Sequence, residues 1–567
     1  MKIIFTFGGV ISGVGKGVVS SSIGKILKEY GFSVTMIKID PYINSDAGTM
    51  RPTEHGEVWV TNDGGEIDQD LGNYERFLNK DMPKINNITS GQVYSQIIEE
   101  ERSGEFLGET VQFIPHVPEE IVNRIKAAGK GYDFVVVEVG GTVGDYENIP
   151  FLFAAKRLEV ELNKDNIVYV LVTYLPIPSN LGEMKTKPTQ HAIMMLREYG
   201  LFPDFIIGRS SREMDKVRKK KIETYSNISC DYILSCPDVD NIYKVPLVLE
   251  KQGFGSKLMK LTKTRAKKNI DWSAWEKIIK KMNKPKNRVK IAIVGKYIDI
   301  GDFTLKDSYI SVQEALKHAG AYLDTGVDID WIDSKKLEQT DQLTILKNYD
   351  GIIVPGGFGS SGVEGKINAI RVCRENKIPY LGLCFGMQLA IIEIARNICN
   401  LEGAHTTEIC PETKYPVIDI LPSQKEIIKK SAYGGTMRLG AYAAILDPNS
   451  KIFEFYKKTG RLEEDMKKIN TLPEKRLGIV DNEKNIIFER HRHRYEVNPE
   501  FVDILKKHGV IFSGKHIRAD GQELMEFIEL KDHPCFIATQ GHPEFKSRPE
   551  SPSPMFVALV DAALKRH

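Results

Sequence analysis

The sequence predicts an α/β protein built from two doubly wound domains. Short apolar runs rich in β-branched residues recur in both halves of the chain, as expected of strands that are buried on both faces of a parallel sheet. Helical patterns separate several of these runs, which indicates crossover connections between parallel strands. At 567 residues the chain also exceeds the usual span of one hydrophobic core, so at least two domains are expected.

Apolar runs predict the strands of a first domain, residues 1–256, and of a second domain, residues 290–567. The runs in the first domain are 3–7, 33–39, 133–139, 166–174, 204–208 and 231–235. Those in the second domain are 290–295, 351–357, 379–384 and 536–540. Between the domains, the basic residues 257–289 predict a linker with an amphipathic helix. The charged, weakly periodic stretch 457–484 predicts a surface insertion.

Composition and charge exclude several classes of protein. Lys and Arg total 78 against 76 Asp and Glu, and the formal net charge of +2 provides no global attraction for nucleic acid or an anionic membrane. No apolar stretch is long enough to span a bilayer. The cysteines are sparse and lack the paired spacing of a metal site, so we expect a cytoplasmic protein. They are Cys230, Cys236, Cys373, Cys384, Cys399, Cys410 and Cys535.

A glycine-rich turn, GGVISGVGKG at 8–17, joins the first predicted strand to a helical pattern. Backbone N–H groups and the positive end of a helix can bind phosphate oxygens there, and Lys16 adds a mobile positive charge. The usual phosphate loop has Ser or Thr after this lysine as a magnesium ligand, but here the next residue is Gly17. We therefore expect the metal ligands elsewhere, with the acidic residues Glu138 and Asp70 as candidates.

A second reactive centre has the pattern of a cysteine nucleophile. Cys384 lies in a Gly-x-Cys-x-Gly turn between a predicted strand and a helical run, where the helix dipole favours the thiolate. His542 and Glu544 are spaced so that the imidazole activates the sulfur and the carboxylate orients the imidazole. Candidate oxyanion donors are the backbone N–H groups of Gly357 and Phe385. A phosphate site and an amide-cleaving site in one chain suggest that ammonia released at one centre is consumed at the other.

Further motifs follow one another in a specific order along the chain. They are KIDPYINSDAGTM (38–50), HGEVWV (55–60), DLGNYERF (70–77), GGTVGDYE (140–147), KTKPTQ (185–190), GGTMRLG (434–440) and ERHRHRYEVN (489–498). On these motifs the chain resembles the CTP synthases over essentially its whole length, and it is similar to a eukaryote-like form without a long C-terminal tail. The resemblance implies an N-terminal P-loop-like amidoligase domain and a C-terminal class I glutamine amidotransferase domain.

The resemblance also implies a reaction, the final step of de novo CTP synthesis. In that family, ATP phosphorylates the 4-oxygen of the uracil of UTP, and ammonia from glutamine displaces the phosphate to give CTP. Magnesium is the implied metal, GTP an allosteric activator and CTP a feedback inhibitor. The family forms homotetramers, with the pyrimidine site between subunits, and filaments; no nucleic acid or membrane partner is implied.

Carried over to this sequence, the family's motifs imply specific binding residues. The implied ATP contacts are Gly13, Val14, Gly15, Lys16, Gly17, Val18, Lys38, Asp70, Asp238 and Val239, and the metal ligands are Asp70 and Glu138. The implied UTP or CTP contacts are Ser12, Asp145, Tyr146, Glu147, Lys185, Thr186, Lys187, Pro188, Thr189, Gln190 and Lys221. The implied glutamine contacts are Gly357, Phe385, Gly386, Met387, Gln388, Glu408 and Arg494, and His55 is the implied gate for ammonia.

Three departures from the family's pattern fall in the second half. Ser360 and Ser361 stand where the family usually has an arginine linked to GTP activation, so weak GTP stimulation is expected. Phe385 replaces a leucine, and Gly541 replaces an aromatic residue. Two alternative functions stay open here. One is another glutamine-dependent ligase that acts on a carboxylated substrate, and the other is a non-enzymatic nucleotide-binding assembly subunit.

Overall fold

The structure is a computed structural model, and it describes residues 1–51, 56–296, 299–300, 303–304, 306–357, 359–420, 437–480 and 484–566. The chain divides into two compact units. The first is Met1–Ala47 with Asp70–Ala274, and the second is Gly48–Gln69 with Trp275–His567. The second unit thus includes a segment from the N-terminal half of the sequence. The predicted limits of the domains and the linker stay a prediction.

The described secondary structure alternates between strands and helices. The strands are β1 Lys2–Gly9, β2 Val34–Asp40, β3 Val58–Val60, β4 Glu66–Asp68, β5 Asn87–Thr89, β6 Phe134–Val139, β7 Ile167–Tyr174, β8 Phe205–Ser210, β9 Ile233–Pro237, β10 Asn287–Gly295, β11 Asp299–Ile300, β12 Phe303–Thr304, β13 Thr325–Asp333, β14 Gly351–Val354, β15 Tyr380–Leu383, β16 His405–Thr406, β17 Pro416–Ile420, β18 Arg438–Leu446, β19 Ile486–His493, β20 Tyr495–Val497, β21 Val510–Ile517, β22 Glu523–Leu530 and β23 Phe536–Thr539. The helices are α1 Lys16–Glu29, α2 Asp70–Leu78, α3 Ser90–Ser103, α4 Phe113–Gly129, α5 Ile149–Leu162, α6 Lys187–Glu198, α7 Lys216–Ser226, α8 Val245–Glu250, α9 Phe254–Leu261, α10 Ser273–Asn283, α11 Ile310–Tyr322, α12 Val363–Glu375, α13 Phe385–Asn397, α14 Lys451–Lys458, α15 Arg461–Lys468, α16 Glu474–Leu477, α17 Val502–Lys507 and α18 Pro554–Leu564.

In the first unit, seven of the described strands form one parallel sheet in the order β5-β2-β6-β1-β7-β8-β9. Most of these strands are rich in apolar residues because helices cover both faces, and every residue of β6 is buried. The six apolar runs predicted for this domain are confirmed as β1, β2, β6, β7, β8 and β9. The neighbouring strands β1 and β6 end at the same edge, which places the glycine-rich turn beside Glu138.

In the second unit, nine of the described strands form a mixed sheet in the order β13-β10-β14-β15-β23-β22-β21-β18-β19. The first five strands are parallel, and the others pair antiparallel. The predicted apolar runs are confirmed as β10, β14, β15 and β23, all in the parallel half. One apolar core packs α12 and α13 on one face of this half, and another packs α11 and α18 on the opposite face.

The segment 48–69 belongs to the second unit, and its described residues include an antiparallel hairpin of β3 and β4. Trp59 of β3 is fully buried and lies against Phe545, with ring centroids 5.1 Å apart. The buried carboxylate of Glu66 in β4 accepts a hydrogen bond from Arg492 Nε at 2.7 Å. The hairpin is therefore held by both apolar and charged contacts.

The charged stretch 457–484 differs from the predicted surface insertion in its described part. It contains α15, whose Leu462 and Asp465 side chains are buried. Asp465 accepts a hydrogen bond from the Phe488 backbone N–H at 3.1 Å and forms an ion pair with Lys546 at 3.0 Å. The helix packs on β19 through partners distant in the sequence, which a local charge pattern does not reveal.

Candidate active sites

The glycine-rich turn of the first unit connects β1 to α1 and has two basic side chains beside it. Lys16 Nζ donates a hydrogen bond to the Gly141 carbonyl at 2.6 Å, and burial lowers the pKa of this lysine. Arg209 lies beside the turn, because a Cβ placed on Gly15 would be 3.3 Å from Arg209 Nε. Arg209 also forms an ion pair with Asp238 at 3.0 Å. It thereby links two predicted ATP-binding positions, although no sequence pattern singles it out.

Asp70 lies directly over Gly17. A Cβ placed on Gly17 would overlap Asp70 Oδ1 and lie 3.0 Å from Asp70 Cγ. The space that a Ser or Thr side chain fills in the usual phosphate loop is thus taken by a carboxylate. Lys38 Nζ holds this carboxylate at 2.7 Å and also reaches Asp40 at 3.1 Å.

Glu138, at the end of β6, is the second predicted metal ligand. Its carboxylate is buried and accepts a hydrogen bond from the Tyr74 hydroxyl. Burial, reinforced by the Asp70 carboxylate, raises the pKa of Glu138 to about 8. The described residues contain no group of three or more His, Cys, Asp or Glu side chains that could hold a metal. Two mutually destabilising carboxylates beside the glycine-rich turn could hold Mg²⁺, a metal that usually completes its shell with phosphate and water.

Two of the predicted pyrimidine residues share one cavity of the first unit. Gln190, at the start of α6, and Lys221, on α7, line one cavity of about 700 Å³ together with Lys216 and Lys220. Asp145 instead closes its own turn, because it accepts hydrogen bonds from the Thr142 N–H at 2.6 Å and hydroxyl at 2.8 Å. The remaining predicted pyrimidine contacts outside that cavity lining are Ser12, Tyr146, Glu147, Lys185, Thr186, Lys187, Pro188 and Thr189.

In the second unit, Cys384 lies at a sharp turn between β15 and α13. Its φ of 49° and ψ of −101° are unusual for a residue with a side chain. The two flanking glycines make this turn possible. A Cβ on Gly386 would overlap the Val354 carbonyl oxygen, and a Cβ on Gly382 would be 2.6 Å from the Tyr380 hydroxyl. The sulfur is thereby presented at the N-terminus of a helix, as predicted for a nucleophile elbow.

His542 and Glu544 form the predicted imidazole–carboxylate pair. His542 Nδ1 lies 2.7 Å from Glu544 Oε1. Burial alone would lower the pKa of His542, but the Glu544 carboxylate and the Cys384 sulfur together raise it to about 10. A Cβ placed on Gly356 would be 3.1 Å from His542 Cε1 and 3.7 Å from Cys384 Cβ, so the imidazole and the cysteine converge at this glycine.

The three side chains open into a cavity of about 500 Å³ within the second unit. The predicted contacts Gly357 and Arg494 also line it. Its other walls come from the loop after β14, from α11 and from residues 48–69. They include Gly48, Thr49, Met50, Glu57, Val58, Ser308, Tyr309, Val312, Pro355, Gly356 and Arg492. Glu57 accepts hydrogen bonds from the Ser311 N–H at 2.9 Å and from its hydroxyl.

Several predicted glutamine contacts lie next to the cavity lining. Phe385, Gly386, Met387 and Gln388 form the buried first turn of α13. Glu408 accepts a hydrogen bond from the Gly359 N–H at 3.4 Å, and burial raises its pKa. The predicted gate, His55, lies outside the described residues.

Gln540 is a residue of this site that sequence reasoning missed. Its Nε2 donates to Cys384 Sγ at 3.7 Å, and its Oε1 accepts from Gln388 Nε2 at 3.4 Å. Gln388 Nε2 also donates to the Tyr495 carbonyl at 3.0 Å. Because Gln388 must present its amide nitrogen to a carbonyl, Gln540 is oriented with its own nitrogen toward the sulfur. Its place two residues before His542, within QGHPEF, was the available signal.

Comparison with known proteins matches both halves of the chain to described families. Residues 2–263 match the family described as CTP synthase N-terminus, and residues 304–562 match glutamine amidotransferase class-I. A CTP synthase of Methanocaldococcus jannaschii is 49% identical over 570 residues, covering 100% of this chain and 98% of the relative. A CTP synthase of Pyrococcus furiosus is 48% identical, covering 99% and 98%. The chain belongs to the CTP synthase family.

One solved structure is similar to part of this chain. The glutaminase domain of Trypanosoma brucei CTPS with bound acivicin is 34% identical, covers 49% of this chain and 94% of that chain, and has a TM-score of 0.41. The expectation of a eukaryote-like form is not tested by these comparisons and stays a prediction. Among the described helices, none has the length and apolar content needed to cross a membrane.

Proposed function

We propose that Cys384, His542 and Glu544 release ammonia from glutamine, and that the glycine-rich turn, Asp70 and Glu138 support the ATP-dependent use of that ammonia. As a glutamine-hydrolysing CTP synthase, the protein converts UTP to CTP at the expense of ATP. The observation that carries the proposal is the convergence of the sulfur, the imidazole and the carboxylate on one cavity of the second unit.

In the glutaminase reaction, the Cys384 thiolate forms a C–S bond with the amide carbon of glutamine. The electron pair of the C=O bond moves to the oxygen, which the backbone N–H groups of Gly357 and Phe385 are proposed to bind. When this oxyanion collapses, the C–N bond breaks and His542 gives its proton to the departing nitrogen, so ammonia leaves. Water, deprotonated by His542, then attacks the thioester, and glutamate departs as the thiolate re-forms.

In the synthetase reaction, the 4-oxygen of uracil attacks the γ-phosphorus of ATP, and ADP leaves. Ammonia then adds to C4 of the ring and loses one proton, and inorganic phosphate leaves, so the nitrogen keeps two hydrogens as the amino group of CTP. Lys16 and Lys38 would balance the charge of the phosphates, and Gln190 and Lys221 would contact the pyrimidine nucleotide. Asp70 and Glu138 would hold Mg²⁺, which neutralises charge on the transferred phosphoryl group.

Regulation and assembly follow the family in this proposal. CTP would inhibit at the UTP site, and a homotetramer that also forms filaments would complete pyrimidine sites between subunits. GTP would activate weakly, since Ser360 and Ser361 stand where the family has an arginine. All seven cysteines are free, which supports a cytoplasmic location.

The division of labour between the two centres is tested by Cys384→Ala. Because only the thioester step needs the sulfur, glutamine-dependent CTP formation should fall by at least about 10³-fold. CTP formation supplied with ammonium chloride should stay near the wild-type rate. Both rates are measured from UTP, ATP and Mg²⁺, with and without GTP.

Cys410→Ala is the matched control, because Cys410 is a half-buried cysteine of the same unit outside the cavity lining. It should keep both activities. A folded Cys384→Ala protein that loses synthesis from both nitrogen sources would refute the proposed division.

A further inference from the structure

Lys366 is a buried lysine beside the glutaminase cavity. It lies on α12, and its side chain is fully buried. Its Nζ donates to the Pro355 carbonyl at 3.4 Å, and a Cβ placed on Gly357 would be 3.8 Å from the same nitrogen. The ammonium group also lies 5.7 Å from the centre of the Phe385 ring. It therefore touches the turn and the residue that carry the two proposed oxyanion donors.

Among the described residues, no carboxylate balances the charge of this buried ammonium group. No Asp or Glu in that part of the chain lies within ion-pair distance of Lys366. An unpaired buried ammonium is strongly unfavourable in a protein interior. A methionine of similar length would fill the same space without that cost. The lysine is therefore expected to lower the stability of the unit that contains it.

The electrostatic surroundings of Lys366 connect it to the nucleophile. Burial and the positive charge of Lys296 lower the pKa of Lys366 to about 7, whereas the Cys384 sulfur acts in the opposite direction. Lys296 Nζ lies 5.0 Å from the centre of the Phe385 ring. Burial lowers the pKa of Lys296 to about 8, and the Glu408 carboxylate acts in the opposite direction. Among the titratable groups that act on Lys366, the Cys384 thiolate is thus the source of negative charge.

We propose that Lys366 is a positioning residue of the glutaminase reaction, whose buried ammonium group holds the Pro355–Gly357 turn and directs positive charge toward the Cys384 thiolate and the oxyanion. This inference rests on the proposed role of Cys384. The ammonium group does not need to touch glutamine. It acts through the turn and through an electrostatic field that the low-polarity surroundings strengthen.

The test compares Lys366→Met with the wild-type full chain. Glutamine hydrolysis should show a kcat lower by about 10- to 100-fold, less than the loss of a direct oxyanion donor, with little change in KM. Alkylation of Cys384 by iodoacetamide, followed by peptide mass spectrometry, should be slower because the thiolate is less favoured. CTP formation from ammonium chloride should be unchanged.

Thermal unfolding supplies a second readout that an ordinary structural role would not give. Lys366→Met should raise the Tm by about 2–4 °C at neutral pH, because a buried charge is replaced by an apolar side chain. The pKa of Lys366 in the folded protein, about 7, is below that of a free lysine. The destabilisation caused by the buried ammonium group is therefore complete below pH 7 and decreases as the pH rises toward about 10. The gain in Tm should shrink over the same range.

Lys347→Met is the matched control, because this lysine of the same unit is exposed. It should change neither kcat nor the Tm appreciably. Lower kcat together with higher Tm in Lys366→Met supports the proposal. An unchanged kcat, a lower Tm, an unfolded variant, or a change in KM alone would overturn it. If Cys384→Ala keeps glutamine-dependent synthesis, the proposed function itself fails, and the two failures are distinguishable.

Discussion

Gly17 and Asp70 explain why the phosphate turn departs from the usual pattern. In the usual loop, a Ser or Thr after the lysine supplies a hydroxyl to the metal. Here the Asp70 carboxylate occupies the space over Gly17, so a side chain at 17 and the carboxylate exclude one another. Gly17 therefore lacks a side chain because the Asp70 carboxylate needs the same space.

Restoring the usual serine should therefore damage the site. In Gly17→Ser, the new Cβ would overlap Asp70 Oδ1, so the carboxylate or the turn must move. We expect CTP formation from ammonium chloride to fall by at least about 10²-fold, since a displacement near 1 Å can have such an effect on a positioned reaction. Ammonia-fed synthesis is the measurement, because it bypasses glutamine hydrolysis. Wild-type activity in Gly17→Ser would contradict this account of the turn.

Residues with local signals could be predicted from the sequence, and residues defined by distant contacts could not. Cys384 has glycines on both sides, and His542 and Glu544 lie two positions apart, so each motif is complete within a few residues. Lys366 has no such signal, because a lysine within a helical pattern usually faces solvent. Its burial depends on the loop after β14 and on α13, which only the folded chain brings together.

At the scale of elements, the hairpin of β3 and β4 supports His542, the proposed catalytic histidine, through a series of aromatic rings. Trp59 packs on Phe545 at 5.1 Å between ring centroids, and Phe545 stacks on His542 at 5.2 Å with an interplanar angle of 19°. Arg490 Nε anchors the hairpin turn through Asn62 Oδ1 at 2.7 Å. The position of the imidazole therefore depends on an element from a remote part of the sequence.

Removal of the Trp59 ring should weaken the packing that supports the His542 imidazole through Phe545. Trp59→Ala should lower the free energy of unfolding by about 3–5 kcal/mol, as for other buried aromatic truncations, and should slow glutamine hydrolysis. Denaturant unfolding and a glutaminase assay measure the two effects. Trp272→Ala is the control, because Trp272 is a half-buried tryptophan of the first unit, and glutamine hydrolysis should be retained there. Equal effects on glutaminase activity in both variants would count against the role of the hairpin.

Element prediction succeeded where strands are covered on both faces of a sheet. Such strands carry apolar runs that are readable without any knowledge of their neighbours, as in β6 and β7. The parallel strand β13 is largely not buried, carries no such run, and was not predicted. β3, β4 and β5 have three residues each, too few for a periodic pattern. Charged side chains in β19, such as Arg490 and Glu489, are buried with distant partners, so that strand lacks an apolar signature.

At the scale of the whole molecule, the chain passes between the two units three times, after Ala47, after Gln69 and after Ala274. The hairpin belongs to the second unit, and the residue that follows it, Asp70, is the proposed metal ligand of the first. A division of the sequence into domains at the basic linker could not show that 48–69 belongs to the second unit. Some residues of this segment contact residues that are more than 400 positions later in the sequence.

A fragment of residues 275–567 should be an incomplete glutaminase. It lacks the part of the cavity wall formed by Gly48, Thr49, Met50, Glu57 and Val58, and it exposes the surface that Trp59 covers. We expect a lower Tm and slower glutamine hydrolysis than in a version with residues 48–69 joined by a flexible linker. Calorimetry and ammonia release compare the two forms. Equal values would show that the hairpin is dispensable for this unit.

The hairpin also limits how this enzyme could be assembled from interchangeable genes. Grafting a foreign amidotransferase after residue 274 would leave the recipient's 48–69 facing a surface for which it was not selected, with Glu66 and Asn62 deprived of their arginine partners. Successful chimeras would need two matched exchanges, one early and one late in the reading frame. Exchange of the C-terminal half alone is therefore expected to give a poorly active protein, because part of its glutaminase unit is encoded near the start of the gene.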